Sequence, residues 1–219
     1  MAKTKRKKII SVPKKVLTLK EQHIVELAKI AWSRTQKEFF FPPLDMPNFI
    51  FDYSNLEGFY IDPQDKWKIT MNLVNTPIFI EDQDYINYFY AISLHEVSHY
   101  QIIPYDGLIN ANLLKAAMKQ VNENFAPIVV NVFADLIIDA KLYNKNPDLI
   151  YWEITKTFAN LLDKGKNNLS EFSKFLFRSY EKLLDISIAD NGFFASVENV
   201  ASRVVNVVKK NFEDETLWE

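Results

Sequence analysis

Residues 85–103, YINYFYAISLHEVSHYQII, constrain this chain more than any other stretch. At their centre stands His95-Glu96-Val97-Ser98-His99, an H-E-x-x-H pattern. Helical residues four apart share a face, so both imidazoles can address one metal ion. Glu96 follows about 100° around the helix axis, where its carboxylate can reach a water beside that ion. Such a site needs two neutral imidazoles, a third protein ligand and an open fourth position, with a base at hand. Around the motif the helix is apolar on nearly every side (Ile86, Phe89, Ala91, Leu94, Val97, Ile102), the pattern of a buried helix. Buried without partners, two imidazoles and a carboxylate are costly, and one metal ion would satisfy all three. The plainer alternative is a pair of hydrogen-bonded core histidines with a capping glutamate. The chain has only three histidines, His23, His95 and His99, so a chance pairing around a glutamate explains little, and the metal reading is preferred.

The third ligand has to come from elsewhere. Residues 127–143, PIVVNVFADLIIDAKLY, read as a second buried helix interrupted by Asn131, Asp135 and Asp139. Their i, i+4, i+8 spacing puts them in one stripe, and a buried stripe of two carboxylates and an amide needs an opposing partner. Asp135, at the centre, is the expected ligand, with Asn131 and Asp139 behind it to orient a histidine or the ligand itself. Glu123, in the preceding loop, is the runner-up; a polar seam bonded to nearby backbone is the non-metal alternative. His23 falls among polar neighbours near the start of another helix and is expected at the surface.

The rest of the chain supplies a frame. Thr18-Leu19-Lys20-Glu21 is a capping-box pattern opening a helix to about residue 40, which Pro42 and Pro43 end. Residues 48–53, 57–62 and 66–73 read as three antiparallel strands, the last two joined by a turn at Asp62-Pro63-Gln64-Asp65. In the third, Trp67, Ile69, Met71 and Leu73 alternate with Lys68, Thr70 and Asn72, predicting a half-buried strand. An extended peptide could add to an edge of this sheet. The acidic run Glu81 to Asp84 suits the start of the metal helix, and Pro104 should end it one turn past His99. Helices are expected over about 108–122, 149–163, 168–185 and 193–212. The last three read as packing alone, with Arg178 and Arg203 at the surface or in salt bridges. Tyr100 and Tyr105 lie near the motif in sequence, but neither is singled out to stabilise an oxyanion.

The chain has 219 residues and is 48% hydrophobic, enough for one well-cored domain. There are no cysteines, which removes disulfides, thiolate metal sites and cysteine nucleophiles. The basic start lacks the apolar run of a signal peptide, and no stretch approaches the roughly 18 apolar residues of a membrane span. The expectation is a cytoplasmic protein without membrane contact. Net charge is −2, yet residues 1–20 hold eight Lys or Arg and no acid, against 18 basic and 28 acidic residues in the remainder. A basic arm on an acidic body could touch nucleic acid or an acidic partner, although a solubilising tail has the same composition.

Taken together, HEVSHY, then Pro104, then NVFADLIIDA some 30 residues on resemble the zincin metallopeptidases. They are most similar to metallopeptidase-type domains of bacterial, archaeal and phage proteins in which H-E-x-x-H is followed by an N-x-x-x-D helix. The resemblance spans about residues 48–143. It implies Zn2+ at His95 and His99, Glu96 as general base and an acidic third ligand at Asp135, acting on a peptide or protein substrate. The chain departs from the gluzincin pattern, which has glutamate where Asn131 stands, and lacks the third histidine of metzincins. The expected architecture is α+β: residues 1–15 as a flexible basic arm, and residues 16–219 as one mostly helical zincin-like domain. Within it, a small antiparallel sheet precedes the active-site helix, the metal-site core covers about 48–143, and a helical part covers about 147–213. The alternative reading is a non-catalytic, metal-stabilised protein that binds nucleic acid or an acidic partner through its arm.

Overall fold

The computed structural model describes residues 16–39, 44–55, 58–62, 68–104, 106–165, 169–190 and 192–214. The basic arm, Pro42, Pro43, Trp67, Tyr105 and the turn at Pro63 to Asp65 lie outside them. The architecture is α+β and mostly helical, in the order α1 (Leu19–Glu38), β1 (Asn48–Ile50), β2 (Phe59–Asp62), β3 (Lys68–Asn72), a 3-10 turn (Leu73–Asn75), α2 (Asp82–Ser98), α3 (Gly107–Met118), α4 (Ala126–Lys145), α5 (Pro147–Gly165), α6 (Glu171–Leu184) and α7 (Glu198–Asn211). No helix among the described residues is long and apolar enough to cross a membrane.

The capping box forms as the sequence predicts. Thr18 Oγ1 accepts from the Glu21 amide at 3.2 Å and Glu21 Oε2 accepts from the Thr18 amide at 2.8 Å, satisfying two of the donors a helix start leaves free. Behind this cap Ala28, Ala31 and Trp32 are fully buried against α2.

The sheet is mixed rather than antiparallel. β2 and β3 pair antiparallel, but β1 lies on the far side of β3 and runs parallel to it, with Asn48, Phe49 and Ile50 opposite Thr70, Met71 and Asn72. The cause is a polar anchor. Asn72 donates to the carbonyls of Asp52 and Asn55 at 2.9 and 2.7 Å and accepts from the Asp52 amide at 3.0 Å. Its own amide donates to the Gly58 carbonyl at 2.8 Å. The connection leaving β1 is thereby fastened across the end of β3, and β2 must approach β3 from the other edge. The same arrangement corrects the half-buried expectation for β3: Thr70 and Asn72 are each 5% exposed, as buried as Ile69 and Met71.

Two apolar clusters form the core. One joins α1, the sheet and α2 through Trp32, Phe59, Met71 and Phe89; the other joins α4 to α7 around Leu136, Ile137 and Ile138, which have no solvent exposure. Helix α2 contributes to both, giving Tyr85, Ile86, Phe89 and Val97 to the first and Leu94 to the second. The H-E-x-x-H segment therefore sits on the seam, facing α4.

Candidate metal centre

Helix α2 ends earlier than the sequence predicts, and this shapes the site. Its last helical residue is Ser98, and His99 follows as the C-cap with φ −58° and ψ −25°. Beyond it the chain tightens: the amides of Tyr100 and Gln101 bond to the carbonyls of Val97 and Ser98 at 3.0 and 3.1 Å, three residues back, as helix ends often do. The segment folds down to Ile103, joined to Pro104 by a cis peptide bond, and the Ile103 carbonyl lies 3.1 Å from His99 Nδ1. His99 keeps a backbone conformation close to helical, so its ring still shares a face with His95. The ring centroids are 5.1 Å apart with planes at 76°.

Both rings turn Nε2 toward the same atom. Asp135 Oδ1, on α4, lies 3.4 Å from His95 Nε2 and 3.4 Å from His99 Nε2, and one ligand atom from each of the three residues falls within 4.8 Å of the others. Neither contact has hydrogen-bond geometry, so Asp135 Oδ1 is buried facing both rings without accepting a hydrogen bond. A buried acceptor is rarely left so. The second nitrogen of each ring is already held, His95 Nδ1 by Asp139 Oδ1 at 2.7 Å and His99 Nδ1 by the Ile103 carbonyl. Such support fixes the tautomer that leaves Nε2 free for a metal. Asn131 Nδ2 donates to Asp135 Oδ2 at 2.9 Å, which orients the carboxylate and leaves Oδ1 toward the histidines. Two nitrogens, one carboxylate oxygen and supported rings make a donor set suited to a borderline-soft divalent ion.

The electrostatics follow from that packing. Burial alone would push the His95 imidazole down, but Asp139 and Asp135 outweigh it and hold it well above the usual histidine range. Burial alone would raise Asp135, and the two imidazoles facing it hold it below the ordinary value instead. Glu96 is pushed up, by burial first and the nearby carboxylates second, against the pull of His95 and His99. A carboxylate raised in this way is a stronger base than one in water.

The sequence-predicted residues do not all arrive. His95, Glu96, His99, Asp135, Asn131 and Asp139 converge, although Asn131 is exposed rather than part of a buried stripe. Glu123 is exposed in the turn before α4 and stands outside the group. His23 bonds to Asp82 Oδ1 at 2.8 Å at the surface. Tyr100 is 37% exposed and close enough for Glu96 to raise its hydroxyl, after burial. Arg178 pairs with Glu181 and Glu198, away from the centre.

Sequence reasoning missed three residues beyond Pro147. A cavity of about 570 Å³ opens beside His95 and Glu96, and Glu153, Thr157 and Tyr180 line it from α5 and α6. Tyr180 is held well above the usual phenol range by burial, then by Asp139 and Asp135. In the sequence Tyr180 belongs to an ordinary apolar face. Glu153 and Thr157 gave a faint signal, a polar i, i+4 pair flanking the apolar row of Ile150, Ile154 and Phe158.

Compared with known proteins, the chain matches no family model, and no curated protein or solved structure shows significant similarity to it.

Proposed function

We propose that this chain is a zinc-dependent peptidase of zincin type, in which His95, His99 and Asp135 hold the ion and Glu96 is the general base. The observation that carries the reading is Asp135 Oδ1, buried and unbonded between two Nε2 atoms, with a glutamate from the same motif on the wall of the adjoining cavity. When bound there, the ion supplies Lewis-acid polarisation of a carbonyl and of water.

The remaining work falls to the chain. Asp139, the Ile103 carbonyl and Asn131 hold the three ligands in place, so little reorganisation is needed. Glu96 takes a proton from the attacking water and returns it to the departing amine, a task suited to a carboxyl that burial holds above its ordinary value. On the side of α5 and α6 the cavity has an apolar wall of Ile150, Ile154 and Phe177. A peptide fits the approach because β2 is an edge strand, to which an extended segment can add, and Gly58 and Phe59 border the same cavity as Glu96. A reducing compartment such as the cytoplasm accords with a chain that has no cysteine.

Elemental analysis and a peptide-library assay test the reading together. Wild type should carry about one zinc per chain, His99→Ala should carry none, and Glu96→Gln should keep the metal while losing hydrolysis. Turnover by Glu96→Gln equal to wild type would remove the proposed base. Absence of zinc from wild type after incubation with it would remove the centre.

A further inference from the structure

The cavity beside the metal centre extends well past the residues that the peptidase reading uses. From His95 and Glu96 it passes between α5 and α6, walled by Ile150, Ile154, Leu161, Leu176 and Phe177. Among the described residues one carboxylate, that of Glu153, lines this passage besides those already placed at the centre. Glu153 projects from α5, and its Oε1 accepts a hydrogen bond from Thr157 Oγ1 at 2.7 Å. Among the described residues no lysine or arginine pairs with it.

A carboxylate in such surroundings is anomalous. Buried acids are almost always paired, and a carboxylate has about four acceptor positions, of which Thr157 uses one. Burial pushes Glu153 up to about 7, with Asp139 adding to the rise and Thr157 and His95 opposing it. The packing of α5 gives no reason for an acid here, since the neighbouring row of Ile150, Ile154 and Phe158 already anchors the helix. Glu153 is nevertheless partly exposed, and it lines the cavity, so its free face is presented to whatever enters.

We propose that Glu153 supplies the charge of a specificity pocket that receives a cationic side chain, of lysine or arginine type, from the peptide substrate. The inference rests on the peptidase reading and names its substrate class. The chemistry of the passage matches the ligand along its length. Its aliphatic wall suits a methylene stem, which gains by burial. Phe177, Tyr88 and Tyr180 supply aromatic surface, against which an organic cation is stabilised. The carboxylate then closes a charge-assisted bond in a place with little competing water. A cavity of about 570 Å³ is of the size that accepts a small organic group. A neutral side chain of the same length would leave Glu153 unpaired, which is the basis of discrimination in buried polar sites.

Binding can be read without turnover, on the full chain, both zinc-loaded and after chelator treatment. The probes are acetyl-arginine methylamide and its uncharged isostere acetyl-citrulline methylamide, with butylguanidinium and butylurea as the free-ligand pair, each titrated by protein-observed NMR. Each guanidinium compound should bind at least about tenfold more tightly than its urea counterpart, and Glu153→Gln should erase the difference by weakening only the cations. Glu153→Asp, which keeps the charge on a shorter arm, should retain a reduced preference and controls for folding. Equal binding of both members of a pair by wild type overturns the proposal, as does discrimination that survives Glu153→Gln. Preference for butylguanidinium without preference for the arginine compound also overturns it, because the pocket would then serve a free cation. The two readings fail separately. Zinc-dependent cleavage with no charge preference removes the pocket alone, whereas arginine discrimination in a chain that neither holds zinc nor cleaves peptides removes the peptidase.

Discussion

Asp139 is the residue on which the geometry of His95 depends. Its carboxylate bonds Nδ1 at 2.7 Å, and without it the ring loses the contact that directs Nε2 toward Asp135. Asp139→Asn should leave the fold intact and weaken zinc affinity by roughly 10- to 100-fold, the usual cost of losing such support. Affinity unchanged in a competition titration would show that packing alone holds the ring. Glu153 allows a prediction with a definite sign. Its carboxyl is raised from 4.5 to about 7 in the folded chain. The folded state therefore holds this proton more tightly than the unfolded state does. Stability from this group is fully present below about pH 4.5 and is lost as pH rises through about 7. Glu153→Gln should accordingly be more stable than wild type at pH 8, by roughly 3 kcal/mol at most, with the gain fading as pH falls from about 7 and gone below about pH 4.5. Urea denaturation of chelator-treated protein at the two pH values would measure it, and a gain of the same size at both would show a packing effect with no proton involved.

At the scale of elements, what the sequence disclosed and what it withheld have different physical origins. Helices α2 and α4 were legible because a buried helix shows its polar residues as exceptions, and the exceptions His95, Glu96, His99, Asp135 and Asp139 fall at helical spacing. Spacing also brought Asp135 to the histidines, since a stripe on one buried helix has to meet something on another. The parallel pairing of β1 was hidden because it depends on Asn72, whose alternation reads as an outward-facing polar residue. Asn72→Ala should cost about 1–3 kcal/mol by leaving the Asp52 and Asn55 carbonyls without their donor. Hydrogen exchange should quicken first at residues 52–55. Slow exchange there in the variant would mean that backbone pairing alone holds the crossing. The cavity wall was hidden for another reason. Glu153 and Tyr180 sit on amphipathic helices where periodicity explains every apolar position, and only the third dimension shows that α5 and α6 part to leave a space. The ion pairs joining α6 to α7 are simpler. Arg178 and Lys182 hold Glu198 down to about 2, so its contribution is present above about pH 4.5 and is lost as pH falls toward 2. With Glu198 39% exposed, solvent limits that contribution to under about 1 kcal/mol. Glu198→Gln should therefore lower stability slightly at pH 7 and match wild type near pH 2. A deficit that persists near pH 2 would assign the effect to packing.

For the whole molecule, the position of the candidate centre matters as much as its donor atoms. Helix α2 belongs to both apolar clusters, and α4 gives the larger one the fully buried Leu136, Ile137 and Ile138. A metal ion held by His95, His99 and Asp135 would join these two helices at the seam, where three ionisable side chains now face one another with Asp135 Oδ1 unbonded. Binding only to the folded chain, it would stabilise by mass action. At free zinc about a hundredfold above its dissociation constant the gain is about 2.7 kcal/mol, which for a chain of this size is a rise of roughly 5–10 °C in Tm. Because α2 is shared, the rise should appear as a shift of one transition. If only the larger cluster were stabilised, the transition would instead split, with the part containing α1 and the sheet melting at its original temperature. His99→Ala should abolish the rise, and Glu96→Gln, whose carboxylate is not among the ligands, should retain it. Calorimetry on the three proteins with and without zinc decides the matter. A rise that His99→Ala retains would place the ion elsewhere, and a rise that Glu96→Gln loses would make Glu96 a ligand in place of a base.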